Sequence, residues 1–198
     1  LAMPVVDEEH KLVGVITVDD VIDVIKDEAT EDIYRLAGVA GDEHVFTPPR
    51  EALRKRLPWL AINLGTAVLA AGVVSLFQDT IKEVVALAVF MPVVAGMGGN
   101  AATQTLTVTV RGIALGELTW GNSRKALVKE VLVGLGNGLI LGFVAAGVAW
   151  VMEGDPVLGL ILGLAMVLNM VVAATAGTLI PIVLRALKVD PALASSVF

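Results

Sequence analysis

Four uncharged polar side chains recur at helical spacing inside an apolar stretch of the sequence. They are Asn100, Thr103, Gln104 and Thr107. Because positions i, i+3, i+4 and i+7 share one face of an α-helix, these groups predict a single polar stripe. Unpaired polar groups are costly in hydrocarbon, so such a stripe is buried in protein or faces a water-filled path. Both readings stay open from this pattern: pore lining, or hydrogen bonding between helices.

A proline and three glycines stand beside this stripe. Proline removes a helical hydrogen bond, and glycine lets another backbone or an ion approach closely. The pattern predicts a helix broken near Pro92, in which the glycines expose carbonyl groups. It adds three residues to the candidate lining: Gly96, Gly98 and Gly99.

A second set of candidate ligands is acidic and lies between residues 19 and 32, where seven carboxylates occur. Several recur at about one-turn spacing, so like charges stack along one helical face and destabilise it. Mg²⁺ takes oxygen ligands and keeps several waters, so a loose carboxylate cluster suits it better than a tight Ca²⁺ cage would. The alternative is a solvated acidic face, with favourable charges at the helix N-terminus.

Composition identifies a membrane protein, because 56% of the 198 residues are hydrophobic. There is no cysteine, which excludes disulfides and thiolate metal sites. The net charge of −6 is unevenly spread: residues 1–47 hold twelve acidic and three basic residues, and residues 48–198 hold eight and eleven. This acidic end argues against nucleic acid and for cations as partners.

Apolar runs predict four membrane spans and the beginning of a fifth, at about 57–77, 81–110, 126–152, 157–184 and from 191. Basic residues cluster on one side of this zigzag, and Lys82 stands alone on the other. The positive-inside rule therefore places the amino-terminal segment in the cytoplasm.

Small residues every four positions predict close helix contacts, at Gly134, Gly138 and Gly142 and again at Gly159 and Gly163. Polar residues within these spans are interpreted as interhelical hydrogen-bonding groups: Asn137, Asn169, Thr175 and Thr178.

The amino-terminal segment predicts a strand–turn–strand–helix unit. Residues 4–17 form two β-branched runs around a polar turn, and Thr17 with Asp20 forms an acidic capping box. The following helix would bury one apolar side, comprising Val21, Ile22, Val24 and Ile25. Residues 41–49 are interpreted as a linker.

Three of these motifs resemble the MgtE family of magnesium channels and transporters. Pro92 with Ala-Gly-Met-Gly-Gly-Asn100 and Gln104 resembles the family's second transmembrane helix, and Asp190-Pro-Ala-Leu-Ala-Ser-Ser196 resembles the start of its fifth. Gly14-Val-Ile-Thr-Val-Asp-Asp20 resembles the end of a CBS domain. Together these motifs cover nearly the whole chain in the family's order.

The resemblance implies an α-helical polytopic membrane protein with an amino-terminal α/β CBS-domain remnant and a cytoplasmic connecting helix. Its parts would be the C-terminal part of a CBS domain at 1–27, an acidic plug helix and linker at 28–56, and a transmembrane domain at 57–198. It would lie in the inner or plasma membrane as a multi-pass homodimer.

The resemblance also implies a Mg²⁺-selective channel or transporter for magnesium uptake, gated by intracellular Mg²⁺. Regulatory Mg²⁺ would bind Asp20, Asp23, Glu28, Glu31 and Asp32. The pore, built from the second and fifth helices, would be lined by Gly96, Gly98, Gly99, Asn100, Thr103, Gln104, Thr107 and Ser196. Mg²⁺ would be both substrate and regulator, and ATP is a further candidate ligand of the CBS region.

Two features depart from that pattern. Thr103 stands where some members have a second Asn, and none of the predicted spans has an acidic residue deep within it, although a Mg²⁺ path is expected to have one. The family carries a pore aspartate on its fifth helix, so an Asp is expected within about two turns beyond Phe198. Both ends of the sequence are expected to be cuts in a longer protein.

Two other classes of function are alternatives. A regulatory membrane protein that senses Mg²⁺ or nucleotide through its CBS segment, without conducting ions, would share the acidic helix and the spans. A membrane enzyme would need a nucleophile–base pair, a metal motif or a phosphate loop, and the sequence has none of these. Gly96-Met-Gly-Gly99 does not follow a strand. The sequence therefore favours a protein that is not an enzyme.

Overall fold

The computed structural model describes residues 2–39, 41 and 43–192, without the side chain of Asp32. In this described part of the chain, two strands, β1 (Ala2–Val6) and β2 (Leu12–Thr17), precede six helices. The helices are α1 (Val18–Leu36), α2 (Pro49–Ser75), α3 (Gln78–Glu83), α4 (Ala86–Ala114), α5 (Ser123–Glu153) and α6 (Pro156–Ala186). Among the described residues, α2, α4, α5 and α6 are long and apolar enough to cross a membrane. The expected polytopic helical class is confirmed.

The amino-terminal unit forms as its sequence predicts. β1 and β2 pair antiparallel, and Thr17 caps α1 through a capping box with Asp20. The backbone N–H and hydroxyl of Thr17 donate to the Asp20 carboxylate, which lowers the pKa of Asp20. α1 then continues to Leu36 across the predicted boundary at residues 27 and 28, so the placement of that domain boundary stays a prediction.

The expected burial of one side of α1 is wrong for the part of the chain that is described. Val21, Ile22, Val24 and Ile25 are all exposed. The physical reason is size: a two-stranded sheet and one helix have too little surface to cover this apolar side.

α5 and α6 pack at backbone distance along their glycines, which confirms the predicted small-residue contacts. A Cβ on Gly142 would lie 2.7 Å from the carbonyl oxygen of Gly163, and one on Gly138 would lie 2.9 Å from Cα of Val167. Neither position accepts a side chain without a shift of a neighbouring helix. The glycines therefore determine how closely these two helices approach.

The prediction that Thr175 and Thr178 form interhelical hydrogen bonds is wrong. The hydroxyls of Thr175 and Thr178 donate within α6, to the carbonyls of Val171 and Ala174. A threonine in a helix reaches the carbonyl four residues earlier more readily than it reaches a neighbouring helix. Asn169 does bond across to α4, as predicted.

α4 packs on the other side of α6, where Gly177 meets the backbone of α4. A Cβ on Gly177 would lie 2.8 Å from the carbonyl oxygen of Ala102. The predicted break near Pro92 is wrong, because α4 is continuous from Ala86 to Ala114 and the chain instead turns between α3 and α4. Proline removes a single backbone donor, and packing on α6 supports the helix around it.

α2 stands apart from this three-helix unit. The described part of the chain buries none of its residues, although α2 contains the predicted first span. The helix begins earlier than that span, at Pro49, where a proline at the first helical position needs no backbone donor. The described core is therefore the α4–α6–α5 layer.

Substituting Gly142 by Ala should destabilise the membrane part, because its methyl group would meet the Gly163 carbonyl. We expect a loss of about 1–3 kcal/mol, typical of overpacking. The measurement is the thermal midpoint of the detergent-purified protein. Gly147→Ala is the matched control, since nothing lies within 4 Å of that position. Equal midpoints for the two variants would contradict the packing role of Gly142.

Candidate functional site

The polar stripe lies on the face of α4 that points away from the helical core. Asn100, Thr103, Gln104 and Thr107 are all exposed, and they share the single face that their helical spacing predicts. The opposite face is buried against α6 and includes Thr105, Leu106, Thr109 and Val110. The four polar groups therefore form one continuous surface that is uncovered by the described part of the chain.

The two threonines of the stripe present oxygen lone pairs outward. The hydroxyl of Thr103 donates to the carbonyl of Gly99 at 2.9 Å, and that of Thr107 donates to the carbonyl of Thr103 at 2.8 Å. Each hydroxyl proton is thus used inside the helix, and the oxygen can only accept from outside. Such oxygens suit a metal cation or the donating waters of its hydration shell.

The three glycines of the motif lie on two different faces of α4. Gly96 and Gly99 are exposed and have no atom within 4 Å of an added Cβ, so they leave open space beside the stripe. Gly98 is buried on the other side, where its Cβ would lie 2.6 Å from Oδ1 of Asn169. Gly98 therefore does not share the exposed surface, and Ser196 lies outside the described residues.

A buried acid on α5 is the group that the sequence analysis missed. Glu130 is 6% exposed, and its carboxylate pairs with Lys129 and accepts a 3.4 Å hydrogen bond from Thr105 on α4. It borders a cavity of about 340 Å³ that also contacts Glu117 and Lys125. Spacing could have found it, because residue 130 continues the four-residue series of Gly134 and the later packing glycines.

The five acids predicted to bind regulatory Mg²⁺ lie along α1 in different surroundings. Asp20 belongs to the helix cap, Asp23 pairs with Lys26 at 3.4 Å, and Glu28 is exposed. Glu31 pairs with Arg35, and the side chain of Asp32 is not described. Among the described residues, no three acidic or histidine side chains lie close enough together to hold a metal. The regulatory assignment stays a prediction.

The end of α1 contacts the segment after α6 through an ion pair and contacts α4 through an apolar side chain. The Arg35 guanidinium pairs with both Glu31 and Asp190, and its pKa is raised chiefly by the hydrogen bond to Asp190. Asp190 in turn accepts from the backbone N–H of Ala192 at 2.9 Å. Leu36 packs beside it on Leu106, Val110 and Ala192, which joins α1 to the far end of the stripe helix.

Comparisons with known proteins find similar sequences over nearly the whole chain. Residues 91–198 match the family MgtE, described as divalent cation transporters, and residues 1–27 match the CBS domain. Three proteins named magnesium transporter MgtE are similar over 98–100% of the chain: 39% identical in Bacillus subtilis, 41% in Enterococcus faecalis and 40% in Thermus thermophilus. The chain spans 43–44% of the length of these relatives.

Water contact of the stripe can be tested with single cysteines, because the sequence contains no cysteine of its own. In membranes, Thr103→Cys and Thr107→Cys should react with a water-soluble, membrane-impermeant thiol reagent at least about tenfold faster than Val108→Cys, since the reactive thiolate forms in water. Val108 is an adjacent exposed position off the stripe. Similar modification rates at all three positions would contradict a water-filled path.

Proposed function

Because this chain belongs to the MgtE family of divalent cation transporters, we propose that it carries the membrane part of a magnesium channel or transporter in which α4 forms one wall of the ion path. The observation that carries the proposal is the uncovered stripe of oxygen-bearing side chains on α4. The relatives named magnesium transporters support Mg²⁺ as the substrate.

The chemistry of the stripe suits a cation that keeps its water. Mg²⁺ dehydrates reluctantly, so a wall that accepts hydrogen bonds from coordinated waters stabilises it without stripping its shell. Thr103 and Thr107 offer accepting oxygens, and the amide oxygens of Asn100 and Gln104 add two more. Gly96 and Gly99 leave room for a hydrated ion beside the helix.

We propose that a second copy of the chain forms the opposite wall of this path. The polar stripe is exposed, yet polar groups facing lipid would be unfavourable. A homodimer with its two-fold axis beside α4 would bring two stripes together around water. The resemblance implies a fifth helix with Ser196 near its start, and that helix would supply the remaining wall.

We place α1 in the cytoplasm on the basis of the basic residues at the same ends of the membrane helices. High internal Mg²⁺ would neutralise the acids of α1 and let it hold the path shut, and low Mg²⁺ would let their repulsion release it. The contact of Arg35 with Asp190 offers a direct connection from α1 to the membrane part. ATP at the CBS region stays a further proposal.

Transport is tested by reconstituting the product of the complete gene into liposomes that contain a Mg²⁺ indicator. We expect Mg²⁺ entry at low internal Mg²⁺, with reduced entry when Thr103 is changed to Leu, because an accepting oxygen is lost from the wall. Val108→Leu is the control, at a neighbouring exposed position off the stripe. Absence of entry with the unaltered protein would reject the transport proposal and favour a regulatory protein that does not conduct.

Gating is tested by how internal Mg²⁺ inhibits entry. The double variant Asp23→Asn with Glu28→Gln should weaken inhibition, because two of the proposed regulatory ligands lose their charge. Asp19→Asn with Asp27→Asn removes the same charge from the same helix and is the matched control. Asp20 is left unchanged, since its loss would also remove the helix cap. An unchanged inhibition curve for the first variant would refute gating through these acids while leaving transport intact.

A further inference from the structure

Asn169 on α6 is a polar side chain that contacts α4 on the face opposite the polar stripe. Its Nδ2 donates to the carbonyl oxygen of Val94 on α4 at 2.6 Å. Its carboxamide lies against Gly98, where an added Cβ would come within 2.8 Å of Cγ. It also borders a cavity of about 440 Å³ whose other lining side chains are all apolar.

This contact lies at the turn of α4 that begins the stripe. Val94 and Gly98 are one turn apart and face α6, whereas Gly96, Gly99 and Asn100 lie on the exposed side. Pro92, two residues before Val94, removes the backbone donor that would otherwise bond to the carbonyl of Ala88. Pro92 leaves the carbonyl of Ala88 without its helical donor, whereas Asn169 donates to the carbonyl of Val94, six residues further along. Its bond is an additional one from outside the helix.

We propose that Asn169 is a positioning residue for the ion path. Its hydrogen bond to Val94 fixes the rotation of α4 about its axis and so sets the direction in which Asn100 and Thr103 face. Gly98 is required for the same contact, because a side chain at this position would displace the Asn169 carboxamide from α4. The effect of Asn169 on ion binding rests on the proposed function. Its effect on the orientation of α4 does not depend on that function.

The surroundings favour a directional role over simple space filling. The amide borders side chains that are otherwise apolar and so offer it no other partner, which makes an unmade hydrogen bond there unfavourable and a made one strongly directional. Leucine has nearly the same shape as asparagine but no donor. If Asn169 only filled space, leucine would replace it without effect on the stripe.

The deciding measurement is thiol modification at Thr103→Cys, with and without Asn169→Leu, in the product of the complete gene in membranes. Loss of the hydrogen bond should change the modification rate about two- to tenfold, the range that corresponds to one neutral hydrogen bond. Asn137→Leu is the matched control, since Asn137 is an exposed asparagine within α5. Gly98→Ala should shift the rate as Asn169→Leu does, and the double variant should add little.

The second measurement is Mg²⁺ entry as a function of external Mg²⁺. A displaced stripe should raise the half-saturating concentration at equal amounts of folded protein, whereas a folding defect would lower only the maximal entry. An unchanged thiol rate, or a fall in maximal entry alone, would overturn the positioning role. If the unaltered protein admits no Mg²⁺, the proposed function fails, and the thiol rates still decide whether Asn169 orients α4.

Discussion

The close approach of α6 to two neighbours is the interaction on which the rest of the membrane part depends. Lipid tails are as apolar as leucine, so hydrophobicity cannot hold these helices together, and van der Waals contact must. Glycines supply it on both sides: Gly142 and Gly163 meet across the α5 contact, and Gly177 meets the backbone of α4. The largest fully buried side chains, Met166 and Met170 among them, belong to α6 for the same reason.

This arrangement explains why the stripe is free to face outward. α4 uses one side, with Gly98, Thr105 and Thr109, to pack on α6 and approach Glu130 of α5. The other side is left for polar groups that the core does not need. A helix with two such different faces is stable only if its rotation about its own axis is fixed. The polar contacts from the other helices to α4 help to fix that rotation.

Much of this could be predicted from the sequence, because it depends on local pattern. Hydropathy located the spans, four-residue glycine spacing located the helix contacts, and helical periodicity placed Asn100 with Thr107 on one face. The rest depends on which elements meet. The continuity of α4 through Pro92 requires support from α6, the burial of Gly98 requires the position of Asn169, and the Arg35–Asp190 pair joins residues 155 apart in sequence. No local pattern contains that information.

The hydroxyls of Thr103 and Thr107 have a consequence for the sign of the charge beside them. With both protons turned inward to helix carbonyls, these groups present electron density outward and no donor. A chloride or phosphate ion, which is stabilised by donated hydrogen bonds, would find no donor in either of these hydroxyls. At these two positions an uncharged side chain favours a cation's coordinated water over an anion, through the direction of its O–H bond.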